Sequence, residues 1–180
     1  MTRALNVLRY RAGQFFAALR PALSAEDWAQ VEAVLGRDTP ALALFRRMGA
    51  PDRRHAVAVL RTVRQTGEDH PALLQAALLH DVGKSLGQPL LHRVVIVLLN
   101  AFWPAALTAL SDAPLTVARW RRPFVVHARH PEIGARWAAE AGCNLLAVEL
   151  IRRHQQPPPA EPATLSDRLH RVLHRADGLN

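Results

Sequence analysis

Residues 76–84 read Ala-Ala-Leu-Leu-His80-Asp81-Val-Gly-Lys84, and this stretch carries the strongest structural signal in the chain. The run between Pro71 and His80 is almost wholly apolar, and proline favours the first position of a helix. Because a helix that is apolar on all sides is typical of a buried element, the pattern predicts a central helix that ends at His80 and Asp81. Two adjacent polar side chains are costly in such a place unless they are paired or bind a cation.

Helical patterns account for most of the remaining sequence. An apolar stripe with spacings of three and four residues predicts a first helix, which Pro21 ends, through Leu5, Leu8, Ala12, Phe15 and Leu19. Capping and stop residues predict further helices from Ser24 to Gly36, Thr39 to Gly49, Pro51 to Thr66, Pro131 to Gly142, Asn144 to His154 and Ser166 to Asp177. Since no strand-like alternation of useful length occurs, the sequence predicts an all-α fold.

Length and composition predict one ordinary globular domain. The chain has 180 residues, of which 49 % are apolar and 21 % are charged. These values exclude a disordered tail and a disulfide-stabilised miniprotein. Cys143 is the only cysteine, so neither an intrachain disulfide nor a thiolate zinc site can form. Any bound metal must therefore use histidine and carboxylate ligands.

The chain is strongly basic, with a net charge of +8 and a pI near 11.4. Such a balance often indicates a nucleic-acid partner. Here, however, Lys84 is the only lysine among 23 basic residues, a usage typical of a preference for GC-rich codons. We therefore do not expect nucleic-acid binding. The same positive field would steer a phosphorylated small-molecule substrate toward a cleft.

Residues 94–110 form the most hydrophobic run of the chain. A bilayer-spanning helix needs about 20 apolar residues, and this shorter run also contains Asn100 and Pro104. The run therefore predicts a buried or oligomer-forming helix pair, while peripheral membrane contact through 1–20 or 94–110 stays open. The sequence does not predict a secretory signal, because three arginines interrupt the apolar stretch near the start of the chain: Arg3, Arg9 and Arg11. We expect a cytoplasmic location, with membrane association as the open alternative.

Six side chains with metal-binding chemistry are spread over five predicted helices: His55, His80, Asp81, His130, His154 and Asp177. Four neutral imidazoles and two carboxylates suit one or two divalent ions such as Mn, Fe or Ni. A structural zinc ion closes with four ligands, and calcium takes oxygen ligands only, so both fit less well. A smaller alternative site uses His170 and His174, four residues apart on the last predicted helix, together with Asp177.

Taken in order, these residues resemble the HD-domain superfamily of metal-dependent phosphohydrolases. The order is H…HD…H…H…D, and the matching blocks are Arg-Arg-His55-Ala-Val-Ala, Leu-Leu-His80-Asp81-Val-Gly-Lys84, His130-Pro-Glu-Ile-Gly134-Ala, Ile151-Arg-Arg-His154 and Ala176-Asp177. The resemblance covers residues 50–180 and implies an all-α bundle with a metal site at its centre. It predicts a single HD-type domain over 1–180, with a helical extension at 1–50, a metal-binding core at 51–180 and a hydrophobic insertion near 90–125.

The resemblance also implies roles for individual residues. One ion would be held by His55, His80, Asp81 and Asp177. Asp81 would bridge to a second ion held by His130 and His154, with Mn, Fe or Ni favoured over Zn, and Mg as a further option. A metal-bound hydroxide would then attack phosphorus. Asp81 and Lys84 are the catalytic candidates, and the candidates for binding a substrate phosphate are Lys84, Arg54, Arg129 and Arg153.

The implied activity is hydrolysis of a phosphate ester, in a nucleotide or a related phosphorylated metabolite, as a monoesterase or a diesterase. Many relatives place another histidine and a glutamate after the fourth histidine, whereas this chain has Gln155 and Gln156. The substrate contacts are therefore expected to differ. Two alternatives stay open. One is a mixed-valent di-iron oxygenase, and the other is a non-catalytic module that senses a nucleotide.

Overall fold

The computed structural model describes residues 22–87 and 89–180, and its helices are joined by turns and short loops. Their bounds are α1 Ala25–Leu35, α2 Pro40–Arg47, α3 Ala50–Gln65, α4 Pro71–Leu79, α5 Leu90–Phe102, α6 Pro104–Ser111, α7 Arg122–Glu140, α8 Leu145–Arg153 and α9 Leu165–Leu179, with a 3₁₀ helix Val82–Leu86 after α4. No strand occurs in these two ranges, which confirms the predicted all-α fold. The predicted helix through Leu5 and Leu19, and any membrane contact of residues 1–20, lie outside the described residues.

Helix α4 lies at the centre of the bundle, as its apolar sequence predicts. It packs against α1, α2, α3, α8 and α9. The side chains of Leu73, Leu78 and Leu79 are fully buried. Helices α1 and α2 add Val31 and Phe45 to the same buried cluster. Replacing one such leucine by alanine would lower the free energy of unfolding by about 2–5 kcal/mol. Because α4 is packed this tightly, its end at His80 has a fixed position in the bundle.

Several predicted helix starts are confirmed by their caps. The Ser24 hydroxyl accepts from the amide of Asp27 at 3.1 Å, and the Asp27 carboxylate accepts from the Ser24 amide at 3.1 Å. Thr39 and Asn144 cap α2 and α8 in the predicted manner. The last helix begins one residue before Ser166, close to its predicted start. Thr164 forms a capping box there, and α9 begins at Leu165 and runs on to Leu179.

The predicted helix start at Pro131 is wrong. Helix α7 runs from Arg122 to Glu140 with Pro131 inside it. Proline has no backbone N–H, so the carbonyl four residues earlier, that of His127, loses its helical donor. That carbonyl instead accepts a hydrogen bond from His130 Nδ1 at 2.6 Å. The buried side chains on both sides of Pro131 keep the helix continuous, so tertiary packing outweighs the local preference for a break.

The hydrophobic run 94–110 forms a pair of helices as predicted, α5 and α6, which are separated at Trp103. The pair is only partly buried, because Leu98, Phe102 and Trp103 are 48 to 69 % exposed. The pair packs on α7, where Ile96, Leu107 and Phe124 form a small second cluster. Arg93 of α5 also donates two hydrogen bonds to the Asp52 carboxylate of α3, at 2.6 and 2.8 Å. A small apolar cluster and a partly buried ion pair therefore attach these two helices to the main bundle.

Within the described ranges, no single helix has the length and apolar composition needed to cross a bilayer. Helices Pro71–Leu86 and Leu91–Phe102 pass that test only as a pair, by length and composition, and they meet at an angle of 104°. The first of them is the buried core helix α4 with its 3₁₀ extension.

Candidate metal centre

The fold brings the six predicted ligands to the middle of the bundle. Their positions follow from the helices: His55 lies on α3, His80 and Asp81 at the end of α4, His130 inside α7, His154 at the end of α8 and Asp177 on α9. Four of these side chains are almost inaccessible, because His80, Asp81, His130 and His154 are 0 to 3 % exposed. The side chains of His55 and Asp177 are 26 % and 30 % exposed, so the centre opens on their side.

The first half of the centre contains His55, His80, Asp81 and Asp177. The Nε2 atom of His55 lies 2.8 Å from Asp177 Oδ1, and the Nε2 atom of His80 lies 3.5 Å from the same oxygen. The distance from His80 Nε2 to Asp81 Oδ2 is 3.6 Å. His55, His80 and Asp81 each offer one ligand atom, and these atoms lie within 4.8 Å of one another.

The second half contains Asp81, His130 and His154. Asp81 Oδ1 lies 3.3 Å from His130 Nε2 and 3.6 Å from His154 Nε2. The two imidazole Nε2 atoms are 3.2 Å apart. These three residues form a second group with ligand atoms within 4.8 Å of one another. Asp81 therefore belongs to both halves, with Oδ2 facing the first and Oδ1 facing the second.

The hydrogen bonds of the buried histidines test whether the centre fits a metal ion. The Nδ1 atoms of His80, His130 and His154 lie 3.1, 2.6 and 2.7 Å from backbone carbonyls. Carbonyls only accept, so each Nδ1 donates, and a neutral ring then has a bare lone pair on Nε2. The Nε2 atom of His80 and the Oδ1 atom of Asp81 are buried without a hydrogen-bond partner. Bare lone pairs that converge in a buried place are suited to a cation. The residues of the centre therefore fit a metal ion.

His130 and Asp81 have the protonation states that metal ligands require. Burial lowers the pKa of His130 to about 4, so its ring is neutral at pH 7. Burial alone would raise the pKa of Asp81, but the Lys84 ammonium and His80 hold it well below its usual range. The Asp81 carboxylate is therefore ionised, and the neutral His130 imidazole can donate its lone pair to a metal ion.

The balance at His80 and Asp177 points to a surplus of negative charge. Burial lowers the pKa of His80, but the carboxylates of Asp81 and Asp177 outweigh it and raise the pKa overall. Burial would raise the pKa of Asp177, but the hydrogen bond from His55 and the nearby imidazole of His80 lower it below its usual range. Each carboxylate thus favours a positive charge beside it, which a divalent cation would supply.

Two glycines allow α7 to lie against the end of α4. A Cβ atom built on Gly83 would lie 2.1 Å from the backbone oxygen of His130, which no real contact permits. A Cβ built on Gly134 would lie 3.3 Å from the amide nitrogen of Gly83. This crossing sets the depth at which His130 reaches Asp81. Sequence reasoning misses the role of Gly83, because the signal is a contact between residues far apart in the chain.

The four predicted phosphate-binding residues have different surroundings. Lys84 lies at the centre, with Nζ 2.6 Å from Asp81 Oδ2. Arg54 is half-buried on α3 beside His55. Arg129 is exposed and lines a shallow surface pocket with Arg136 and Arg152.

Arg153 is held by two carboxylates. Its guanidinium lies 2.9 Å from Glu149 and 3.0 Å from Asp167, so its charge is already paired and the proposed site does not include it.

The alternative metal site on α9 does not form in the structure. His170 Nε2 donates to the Arg153 carbonyl at 2.8 Å, and its ring lies 6.2 Å from that of His174, centroid to centroid. Among the residues that the structure describes, the groups able to hold a metal include neither His170 nor His174. The spacing of four residues places both rings on one side of the helix but does not make them converge.

Comparison with known proteins agrees with this geometry. The family model described as HD domain matches residues 53–180, which contain all six residues of the centre. No curated protein and no solved structure matches the chain. HD domains generally bind divalent metals, and most members of the family are metal-dependent hydrolases, although some are non-catalytic. The chain therefore belongs to the HD domain family, within the superfamily of metal-dependent phosphohydrolases.

Proposed function

We propose that the protein hydrolyses a phosphate ester of a nucleotide or a related phosphorylated metabolite, with one or two divalent ions at the centre. The observation that carries the proposal is the position of Asp81, whose two oxygens face two separate groups of imidazoles. One carboxylate shared between two groups suits a pair of ions that act on a single phosphate. Imidazole-rich ligands favour Mn, Fe or Ni, with Mg as a further option.

When bound, such ions supply Lewis acidity, which activates water and neutralises phosphate charge. The residues of the chain supply position and surroundings. Burial of His80, His130 and Asp81 excludes bulk water from the inner side of the centre. The partly exposed pair His55 and Asp177 leaves an opening through which a substrate can approach.

Lys84 is the proposed contact for the substrate phosphate. Its side chain is 23 % exposed and its ammonium lies against Asp81 Oδ2, so it stands at the edge of the centre. An ammonium in this position can bind a phosphate oxygen through a charge-assisted hydrogen bond. The net charge of +8 adds a general attraction for anionic substrates.

The experiment that tests the function combines elemental analysis with a turnover panel. Protein purified without chelator is analysed for metals, then assayed with added Mn on nucleoside monophosphates, cyclic nucleotides and p-nitrophenyl mono- and diesters. We expect about one to two equivalents of metal and hydrolysis of at least one class of ester. Metal-loaded protein that converts a substrate of the panel only when dioxygen is present would indicate the oxygenase alternative. Protein that binds nucleotides but hydrolyses no ester would indicate the sensing module.

Lys84→Ala is expected to raise KM for a phosphorylated substrate about tenfold, with metal content unchanged, since it removes one charge-assisted hydrogen bond. Metal analysis and steady-state kinetics measure the two effects separately. Lys84→Arg, which keeps the charge, should recover part of the loss, and Arg168→Ala on the exposed side of α9 is the control. An unchanged KM with reduced metal content would mean that Lys84 acts only on Asp81.

We also propose that one face of α5 contacts an anionic membrane surface. Leu91, Val94, Leu98 and Phe102 recur at spacings of three and four residues and are 48 to 71 % exposed, and Trp103 follows at 69 %. An apolar helix face that ends in aromatic residues is typical of interfacial binding. Apart from Arg93, which is paired with Asp52, residues 90–122 contain three arginines and a single acidic residue, so the segment complements negative lipid headgroups.

Flotation with lipid vesicles measures this contact. We expect binding to vesicles of phosphatidylcholine with phosphatidylglycerol, and weaker binding to phosphatidylcholine alone. A Leu91→Glu/Phe102→Glu variant should lose it, whereas Leu179→Glu, an equally exposed leucine on α9, should not. Failure of the wild-type protein to bind either vesicle would contradict the proposal. A dimer that dissociates in the Leu91→Glu/Phe102→Glu variant would assign the face to a second copy of the chain.

A further inference from the structure

Three buried histidines of the centre share one arrangement. Each presents Nδ1 to the backbone carbonyl three residues earlier, His80 to Ala77, His130 to His127 and His154 to Ile151. His80 and His154 end their helices. The last carbonyls of a helix have no helical donor, so these two histidines find free acceptors there.

His130 is different, because it lies inside α7 and the helix continues to Glu140. In an unbroken helix the carbonyl of His127 would accept from the amide of residue 131. Residue 131 is proline, which has no amide hydrogen. The carbonyl of His127 is thus left open in the middle of a helix, and His130 Nδ1 occupies it at 2.6 Å.

The hydrogen bond at Nδ1 also determines the state of Nε2, the other ring nitrogen of His130. With its single hydrogen on Nδ1, neutral His130 presents a bare Nε2 toward Asp81 Oδ1 at 3.3 Å and His154 Nε2 at 3.2 Å. If Nδ1 had no acceptor, the ring could carry its hydrogen on Nε2, which faces Asp81. That tautomer cannot donate a lone pair to a cation in the centre.

We propose that Pro131 is a positioning residue: by withholding a backbone N–H it reserves the His127 carbonyl for His130 and so fixes the tautomer and orientation of that ring. The inference rests on the proposed function, because a bare Nε2 on His130 is useful only if the centre binds a metal ion. The hydrogen bond itself requires no metal and no turnover. It can therefore be examined in the metal-free protein.

A proline that only supported the fold would show a different signature. Proline is unfavourable inside a helix, and alanine at this position would restore the missing N–H and the ordinary helical bond to His127. Pro131→Ala should therefore leave thermal stability unchanged or raise it, while it weakens metal binding. A variant that keeps or gains thermal stability but binds metal more weakly identifies Pro131 as a positioning residue. A purely structural proline would lose stability when replaced.

The test reads the tautomer of His130 directly. Long-range ¹H–¹⁵N spectra of ¹⁵N-histidine-labelled, metal-free protein at one pH near 7.5 distinguish Nδ1–H from Nε2–H, and His130→Gln assigns the signal. We expect Nδ1–H in the wild type and a mixture of tautomers in Pro131→Ala. Titration with Mn alone should show roughly tenfold weaker affinity in that variant, as is usual when a group that orients a ligand is lost. Pro123→Ala is the control, because that proline lies in the first turn of the same helix, where no N–H is needed.

Two results would overturn the proposal. One is Nε2–H on His130 in the wild-type protein, which is informative even if the variant does not fold. The other is a Pro131→Ala variant with the tautomer and Mn affinity of the wild type. Absence of phosphatase activity would instead count against the proposed function, and the tautomer measurement would be unaffected by it.

Discussion

Asp81→Ala is expected to abolish metal binding and hydrolysis together, with turnover reduced at least about a thousandfold. Asp81 is the only residue that belongs to both ligand groups found among the described residues. Its loss leaves His130 and His154 with neighbouring lone pairs and no anion between them. Metal analysis after dialysis against Mn, followed by steady-state kinetics, measures both losses on one sample.

The same variant should also change the pH dependence of stability in the metal-free protein. The pKa of Asp81 is lowered on folding, so its stabilising effect is present above the unfolded pKa near 4 and is lost as the pH falls through its lower folded value. Asp81→Ala removes that contribution, and its free energy of unfolding should fall less steeply below pH 4. Urea unfolding at several pH values measures the difference.

Asp112→Ala is the matched control for Asp81, because this aspartate is exposed in the loop after α6. It should retain metal, turnover and the pH dependence of the wild type. Full metal content and activity in Asp81→Ala would show that the ions bind elsewhere, and would refute the candidate centre.

Gly83→Ala is expected to destabilise the protein by about 3 kcal/mol and to weaken metal binding at the same time. Elsewhere in a helix this substitution is favourable, by as much as about 1 kcal/mol. At Gly83 the added methyl group would meet the backbone oxygen of His130 at 2.1 Å, and backbone cannot rotate away as a side chain can. Helix α7 must shift, and His130 then moves away from Asp81.

Gly178→Ala provides the comparison, since a Cβ there meets no atom within 4 Å although the residue also lies in a helix. Urea unfolding should give a lower midpoint for Gly83→Ala and an equal or higher midpoint for Gly178→Ala. Mn titration of the two variants then shows whether the shift of α7 reaches the centre. A wild-type midpoint for Gly83→Ala would contradict the close approach of α7 and the end of α4.

Helix boundaries were predictable where a short signal within one turn decides them. The Ser24 and Thr39 caps and the stop at Gly36 act through hydrogen bonds to neighbours a few residues away, and the structure has them as predicted. The central place of α4 was predictable too, because a helix that is apolar on all sides must be surrounded. These features need no knowledge of the rest of the chain.

Where a distant part of the chain contributes, prediction from local pattern failed. The rule that a proline begins a helix is wrong at Pro131, because packing on both sides of it keeps α7 continuous and a histidine uses the open carbonyl. The proposed pair of His170 and His174 has the right spacing, but the Arg153 carbonyl takes up one ring. Local spacing fixes which side of a helix a residue faces, whereas its partner depends on the packing.

The candidate centre shows the same division. Sequence alone determined the all-α class and the central helix and predicted the six candidate side chains, because apolar patterning and the order of histidines and aspartates are carried by the residues themselves. Only the tertiary structure decided that Asp81 faces two groups, that Lys84 joins it and Arg153 does not, and that Gly83 admits the backbone of His130. Those outcomes depend on how closely α4, α7 and α8 approach one another, and that approach is set by side chains far apart in the chain.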